Sequence, residues 1–250
     1  MAGFKTHITF STVMGAGYGT AAWWLYQVPA PTCVLAGGLC AVSGMLPDID
    51  SDSGVPLRES LAFGAAVVPM MLARRFQLWG WPHESIILAG AGAYLLIRFV
   101  VAWLLKKYTV HRGMFHSIPA ALIFGEITFL LTASENVMLR YFTAGAVVLG
   151  YLSHLVLDEL YSFQFKRGRF RLKSSFGTAV KFVGDSGWAN LSVYGKLILV
   201  SALLSQDPGF ISSLHHMGLV AENRPQVTAP GAGQSANGGS QPKVQLRIGN

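Results

Sequence analysis

The segment from Ser85 to Leu105 carries a single charged residue, Arg98, and is otherwise mostly apolar. A helix needs about 20 predominantly apolar residues to cross the hydrocarbon core of a bilayer, and this segment meets that length. The segment therefore predicts a transmembrane helix. Any fold proposed for the whole chain has to place it in a membrane.

Other apolar runs give further candidate spans at residues 8–28, 31–46, 60–79, 117–133, 140–157 and 190–205. The second run is short, and Arg74 and Arg75 interrupt the third, so the sequence predicts five to seven spans. Charged residues make up 12% of the chain, whereas a soluble domain typically carries about 25%. The predicted fold class is an all-α, polytopic transmembrane helix bundle.

The positions of Lys and Arg predict the orientation of this bundle. The formal net charge is +7, and basic residues of membrane proteins concentrate in short cytoplasmic loops. With a cytoplasmic N-terminus and seven spans, the cytoplasmic loops contain Lys5, Arg58, Lys106, Lys107, Arg112, Lys166, Arg167, Arg169, Arg171, Lys173 and Lys181. The opposite loops hold Arg140, with Arg74 and Arg75 as further candidates. Because no nucleic-acid-binding motif accompanies the basic residues, we do not expect a nucleic acid partner.

The predicted organisation has four parts. Residues 1–160 form a membrane-embedded domain, and residues 190–220 contain the last span and its flank. Residues 161–189 mix Lys and Arg with Phe and Leu, which fits either a segment held at the interface by anionic lipid or a solvated basic loop. Residues 221–250 are polar and rich in Gly, Ser and Gln, so they predict a disordered tail.

Two charges fall inside predicted spans. Arg98 and Glu126 lie in the runs 85–105 and 117–133. Charged residues within a bundle usually pair with one another or line a functional cavity. We expect these two to pair, with a pocket reaching from the site as the alternative.

Four short segments place His and Asp at the ends of predicted spans. They are Thr6-His7, Leu46-Pro47-Asp48-Ile49-Asp50, the segment from His111 to Ser117, and the segment from Gly150 to Asp158. All four fall at cytoplasmic span ends, although the topology was derived from Lys and Arg alone. The candidate metal ligands are His7, Asp48, Asp50, His111, His116, His154 and Asp158.

The spacing within the segments has a physical logic. His154 and Asp158 are four residues apart, so they project from one face of a helix. Asp48 and Asp50 alternate, so in an extended stretch both carboxylates face the same way. His111 and His116 bracket a Gly-containing turn. Imidazole with carboxylate suits zinc, manganese or iron better than calcium or magnesium, and we expect one or two ions, zinc first.

Each segment taken alone also has a simpler explanation. A single His at a membrane interface is usually a polar cap, and an Asp after Leu-Pro is commonly a turn or helix N-cap residue. His154 and Asp158 could be a hydrogen-bonded pair without a metal. The combination on one predicted plane favours a metal site. His83, His215 and His216 fall outside it and are expected to be ordinary loop residues.

The four segments, in this order and with this spacing, resemble the YdjM-like family. Its members are described as predicted membrane-bound, metal-dependent hydrolases of bacterial inner membranes. The resemblance covers roughly residues 1–160. It implies a helical domain in the inner membrane with hydrolase activity at a metal centre. A distant likeness to zinc-dependent phospholipase C-type enzymes would imply phosphoester substrates.

The predicted reaction is metal-assisted hydrolysis of an ester or phosphoester, lipid-derived ones included, at the cytoplasmic membrane face. Asp48 and Asp50 serve as ligands or as the general base, and Arg112 either clamps a phosphate or only fixes the topology. The alternative is a metal-binding membrane protein without catalysis, or a transporter. Transport sites usually lie near the bilayer midplane, so ligands gathered at one surface favour hydrolysis. The predicted partners are the lipid bilayer and the substrate.

Overall fold

The computed structural model describes residues 3–50, 54–108, 115–166, 169–172, 181–184 and 186–219. In chain order the elements are α1 (Phe4–Tyr26), α2 (Ala30–Ser43), a 3₁₀ turn (Leu46–Asp50), α3 (Val55–Leu78), α4 (His83–Leu95), a π-helical turn (Leu96–Val101), α5 (Ala102–Tyr108), α6 (Ile118–Leu131), α7 (Val137–Leu160), β1 (Phe163–Lys166), β2 (Arg169–Leu172), α8 (Gly187–Leu204) and α9 (Pro208–His216).

The predicted all-α membrane bundle is confirmed, and every candidate span lies on a helix. Four helices are long and apolar enough to cross a membrane, namely α3, α7, α8 and the continuous helix His83–Leu105. Helices α2 and α6 are apolar but have 14 residues each. The strands β1 and β2 form a small antiparallel hairpin after α7. The predicted tail, residues 221–250, lies outside the described residues.

Helix α3 resolves the doubtful run at 60–79. It begins at Val55, five residues before that run, with Pro56 in its first turn after Gly54. The φ angle of Gly54 is 63°, a left-handed conformation that glycine adopts without steric cost. The helix ends at Leu78, so Arg74 and Arg75 lie close to its C-terminal end. Long basic side chains at such a position can extend to the membrane boundary. Arg74 Nε donates to the carbonyl oxygen of Ala133, 3.2 Å away.

Small residues let α1, α2 and α7 pack with their backbones close together. A Cβ atom at Gly15 would meet the carbonyl of Gly37, and one at Gly150 would meet the carbonyl of Cys40. Close approach through small residues is characteristic of helix pairs in membranes. This packing brings the beginning of α1, the end of α2 and the last turns of α7 to one end of the bundle. The beginning of α6 joins them there, because α6 and α7 are antiparallel neighbours.

The opposite end of the bundle holds a buried ion pair. Arg140, in the first turn of α7, donates from Nη1 and Nη2 to the two carboxylate oxygens of Asp207, each at 2.7 Å. The guanidinium also lies 4.1 Å from the centre of the Phe129 ring. Asp207 caps the N-terminus of α9 by accepting from the Phe210 amide. The pair thus ties α9 to the start of α7.

The expected pairing of Arg98 with Glu126 is wrong. Glu126 accepts a hydrogen bond from the hydroxyl of Ser201 at 2.8 Å, which links α6 to α8. Arg98 lies in the π-helical turn and lines a cavity of about 280 Å³ with the first turns of α3. The extra residue per turn of a π-helix changes the direction of the side chains, which apolar periodicity in the sequence does not reveal.

Candidate metal centre

Five of the predicted ligands come together at one end of the bundle. We refer to His7, Asp48, His116, His154 and Asp158 as the His/Asp cluster. They form two triads that share His154, and within each triad the candidate ligand atoms lie within 4.8 Å of one another. Three imidazoles and two carboxylates from four separate parts of the chain therefore surround one small volume.

The first triad joins α1 to the last turns of α7. His7 Nε2 lies 3.2 Å from Asp158 Oδ1, and His154 Nε2 lies 3.7 Å from Asp158 Oδ2. The side chains of His7 and Asp158 are each 2% exposed, and that of His154 is fully buried. His154 and Asp158 share a helix face because they are four residues apart, as the sequence predicted.

The second triad is more accessible. Asp48 Oδ1 lies 3.3 Å from His116 Nε2 and 3.6 Å from His154 Nε2. The Asp48 side chain is 23% exposed, so it is the one member of the cluster that reaches appreciably toward solvent. Burial alone would raise the pKa of Asp48, but its contact with His116 and its attraction to whichever neighbouring imidazoles carry a proton outweigh that effect and lower the pKa. Asp48 is therefore a carboxylate at neutral pH, the form that binds metal.

The predicted extended conformation around Asp48 is wrong. Residues Leu46–Asp50 form a 3₁₀ turn instead. With three residues per turn, side chains two positions apart point in different directions, so the argument that Asp48 and Asp50 face the same way no longer holds. The Asp50 side chain lies outside the described residues, as do His111 and Arg112. Their proposed roles stay predictions.

A backbone carbonyl fixes the orientation of His154. Its Nδ1 atom lies 2.7 Å from the carbonyl oxygen of Gly44, just after α2. A carbonyl oxygen only accepts hydrogen bonds, so Nδ1 carries the hydrogen and Nε2 keeps its lone pair. Metal-binding histidines characteristically donate their second ring nitrogen in this way. The free lone pair of Nε2 points toward both Asp48 and Asp158.

The three imidazole rings pack closely but do not provide hydrogen-bond partners for one another's nitrogen atoms. The rings of His7 and His154 stack with centroids 3.7 Å apart, and that of His116 meets His154 edge to face at 5.5 Å. Two imidazolium ions stacked so closely would repel each other, so at least one ring is neutral. Within the described part of the chain, His116 Nε2 and His154 Nε2, the nitrogen atoms that face Asp48, are buried without a hydrogen-bond partner. Buried polar atoms normally have partners, and a divalent cation would provide one for this donor set.

Tyr151 and Ser117 hold the segment that carries His116. The Tyr151 hydroxyl donates to the carbonyl oxygen of Phe115, and Ser117 caps α6 by accepting from the Ala120 amide. Tyr151 itself is fully buried in the core. The sequence offered Tyr151 only as part of a motif and gave no signal for the Gly44 carbonyl, because any residue supplies a carbonyl oxygen.

The remaining histidines of the chain lie elsewhere. His83 begins α4 at the far end of the bundle, and His215 and His216 end α9. The structure therefore keeps them apart from the His/Asp cluster, as the sequence predicted, but it places them at helix ends and not in loops.

Comparison with known proteins gives one match. The model of the family described as YdjM inner membrane protein matches residues 1–185, which include all seven predicted ligands. The match extends beyond residue 160, where the resemblance in the sequence motifs ends, and takes in the basic segment after α7. No curated protein and no solved structure matches the chain.

Proposed function

This chain belongs to the YdjM inner membrane protein family, and from that premise we propose that it is a membrane-bound, metal-dependent hydrolase. The observation that carries the proposal is the His/Asp cluster itself, with two carboxylates among three buried imidazoles. A solvated polar cap would not need three rings packed together with unpaired nitrogen atoms. The substrate bond is an ester or phosphoester.

The ligand set favours zinc, with manganese or iron as alternatives. Mixed imidazole and carboxylate shells suit these ions, whereas calcium and magnesium prefer oxygen ligands. Five candidate ligands exceed one four-coordinate shell, and the two triads meet at His154. Because the free Nε2 atom of His154 has a single lone pair, we propose either one ion with the remaining side chains around it, or two ions of which only one is bound by His154. When bound, the metal would acidify a water molecule and stabilise negative charge on the substrate oxygen.

The two carboxylates of the His/Asp cluster have different environments and, we propose, different roles. Asp158 is 2% exposed at its side chain and contacts both His7 and His154, which suits a metal ligand. Asp48 is 23% exposed and lies on the solvent side of the same rings. A general base must lie within hydrogen-bond reach of the attacking water, and water reaches the cluster from the side where its members are exposed. Asp48 meets that requirement, and Asp50 and Arg112 remain further predicted catalytic residues.

The distribution of Lys and Arg supports a cytoplasmic position for the cluster. Lys5, Arg58 and Lys107 occur on helix ends at the same end of the bundle as the His/Asp cluster. Basic residues near span ends are held on the cytoplasmic side. We propose that the N-terminus and the metal centre both face the cytoplasm.

Turnover with and without a chelator tests this proposal. The purified, zinc-loaded protein in detergent is assayed against a phosphomonoester, a phosphodiester, glycerophospholipids and acyl esters. We expect turnover of at least one class, lost on chelation and restored by zinc. In Asp48→Asn we expect turnover to fall about 100-fold, the typical contribution of a general base, while metal content is retained.

The matched control is Glu59→Gln, which removes an exposed carboxylate in the first turns of α3. It should leave turnover unchanged. Should Asp48→Asn lose its metal, Asp48 is a ligand and not the base. Stoichiometric metal without chelator-sensitive turnover of any class would favour the alternative, a metal-binding protein or transporter without hydrolase activity.

A further inference from the structure

A second feature lies directly beside the His/Asp cluster. Helices α2, α3, α6 and α7 line a partly open cavity of about 350 Å³, together with the π-helical turn and α5. This volume is in the range of small-molecule binding sites, roughly 300–1,000 Å³. Its wall is almost entirely apolar and includes Val42, Phe63, Val67, Met71, Phe124 and Leu131.

One end of this cavity is built from the same segments as the cluster. Leu46 and Ile49 line the cavity and come from the 3₁₀ turn that carries Asp48. Phe115 also lines it and directly precedes His116. Two short segments of the chain therefore contribute residues both to the cavity wall and to the His/Asp cluster. One end of a molecule bound in the cavity would lie next to the cluster.

The polar groups of the cavity point to its occupant. Ser43 and Thr128 line it, but their hydroxyls donate to the backbone carbonyls of Cys40 and Phe124. Ser60 also lines it, is 7% exposed, and its hydroxyl has no hydrogen-bond partner in the described part of the chain. A buried hydroxyl without a partner is costly. Ser60 precedes Leu61, which packs against Ile49, so this hydroxyl lies at the end of the cavity that adjoins the cluster.

We propose that the cavity binds the acyl chain of a membrane glycerophospholipid and that Ser60 donates a hydrogen bond to its ester carbonyl oxygen. An apolar cavity inside a bilayer protein is surrounded by lipid chains, which are its most abundant apolar ligands. A small water-soluble ester would make no use of it. That the cluster then cleaves this lipid rests on the proposed hydrolase function; binding of the chain does not.

The cleavage that follows is an ordinary hydrolysis. The oxygen of water forms a bond to the acyl carbon or to phosphorus, and the bond from that atom to the alcohol oxygen breaks. The alcohol oxygen keeps the bonding electron pair and takes up a proton. The products are an acid and an alcohol, so no oxidant or other co-reactant is needed.

Photo-crosslinking tests the occupant independently of turnover. The full-length protein is reconstituted with phosphatidylglycerol that carries a diazirine near the end of one acyl chain, and crosslinked peptides are identified by mass spectrometry. We expect crosslinks to cavity residues such as Val67, Met71 and Leu131. A Cβ atom at Gly64 would have only Ile97 Cγ2 near it, at 4.0 Å. Gly64→Leu should therefore fill the cavity and lower these crosslinks at least tenfold.

The matched control is Gly92→Leu on the exposed face of α4, where a Cβ atom would meet nothing within 4 Å. It should leave the cavity crosslinks unchanged, and metal content should be equal in all three proteins. If Gly64→Leu fails to fold, Val67→Phe fills the same space. Crosslinks only at outward-facing residues, or crosslinks that neither filling variant lowers, would overturn the proposal.

Turnover separates this inference from the proposed function. If the probe occupies the cavity but no lipid is hydrolysed in a chelator-sensitive way, the lipid site stands and the hydrolase proposal fails. If short water-soluble esters are cleaved as fast as lipids, and Gly64→Leu changes neither rate, the hydrolase proposal stands and the lipid substrate is wrong.

Discussion

The Nδ1 atom of His154 on α7 lies 2.7 Å from the carbonyl oxygen of Gly44 at the end of α2. This contact joins α7 to the end of α2, two helices that pack together through small residues, and it involves the ring shared by both candidate triads. The position of this candidate metal-binding nitrogen therefore depends on the backbone of a helix that contributes no candidate ligand of its own.

Removal of His154 should abolish metal binding. Because His154 belongs to both triads, we expect His154→Ala to eliminate the metal of the purified protein, measured by inductively coupled plasma mass spectrometry. His116→Ala removes only the second triad. Because the triad of His7, His154 and Asp158 remains intact, His116→Ala should still bind an ion. His83→Ala, an exposed histidine at the start of α4, is the control. Equal metal content in His154→Ala and wild type would contradict the site.

Tyr151→Phe should weaken metal binding without unfolding the bundle. The variant keeps the buried ring but loses the hydrogen bond to the Phe115 carbonyl that positions His116. Loss of such outer contacts typically lowers metal affinity about 10- to 100-fold, which competition with a chromophoric zinc chelator would measure. Tyr141→Phe removes a comparable contact to Ser213 far from the cluster and should leave affinity unchanged. Equal affinity in both variants would assign Tyr151 to packing alone.

Gly150→Ala should destabilise the protein, whereas Gly195→Ala should not. A Cβ atom at Gly150 would collide with the Cys40 carbonyl and the Ser43 hydroxyl of α2. Overpacking of this kind typically lowers the free energy of unfolding by about 1–3 kcal/mol. A Cβ atom at Gly195 meets nothing within 4 Å, so alanine there should leave stability equal or slightly higher. Unfolding titrations in mixed micelles would compare the two.

The Arg140–Asp207 pair should make stability depend on pH. Burial raises the pKa of Asp207, but its hydrogen bonds to Arg140 and to the Phe210 amide, with the nearby Arg charges, lower it overall. A lowered pKa means that the pair stabilises the fold above the pKa of the unfolded chain. That stabilisation disappears as the pH falls through the folded pKa.

The variant Asp207→Asn measures this contribution. Removing one partner of a buried ion pair typically lowers the free energy of unfolding by about 3–5 kcal/mol, and we expect a decrease of that order in Asp207→Asn at pH 7. The difference in the free energy of unfolding between this variant and the wild type should shrink steadily as the pH is lowered below about 4. Glu135→Gln changes an exposed acid just before α7 and should show no such pattern. A difference that is constant with pH would refute an ionic origin.

The proposed orientation can be checked with tags in two loops. We expect a tag inserted after Gln27, between α1 and α2, to be accessible from the periplasm. A tag inserted before Ser186, which precedes α8, should be accessible only after the membrane is permeabilised. Protease protection in spheroplasts would measure both. The reverse pattern would place the His/Asp cluster on the periplasmic face.

The helices were predictable because apolar length alone defines a membrane span. Each candidate run lies on a helix, and the short second run remains a short helix of 14 residues. The beginning of α3 was not predictable from apolar length. It depends on the left-handed conformation at Gly54 and on Pro56 in the first turn, which extend the helix before its apolar part begins.

The site was predictable where ligands sit on regular helices and not where the backbone departs from them. The spacing of His154 and Asp158 fixes their shared face on any helix. The direction of the Asp48 side chain depends on a 3₁₀ turn. The sequence pattern, with Asp48 and Asp50 separated by one residue, did not indicate that turn. The partner of His154 is a carbonyl oxygen, which no side-chain pattern can reveal. The surroundings of Arg98 depend on a π-helical turn, and the partner of Glu126 comes from α8; apolar periodicity reveals neither.

Helix α7 carries a polar group near each of its ends, Arg140 in its first turn and Asp158 in its last. These residues are 18 positions apart, which corresponds to about 27 Å along an α-helix. The hydrocarbon core of a bilayer is about 30 Å thick. Each polar group therefore lies close to one boundary of the hydrocarbon core, so that this helix is matched in hydrophobic thickness to the membrane and resists sliding along its normal.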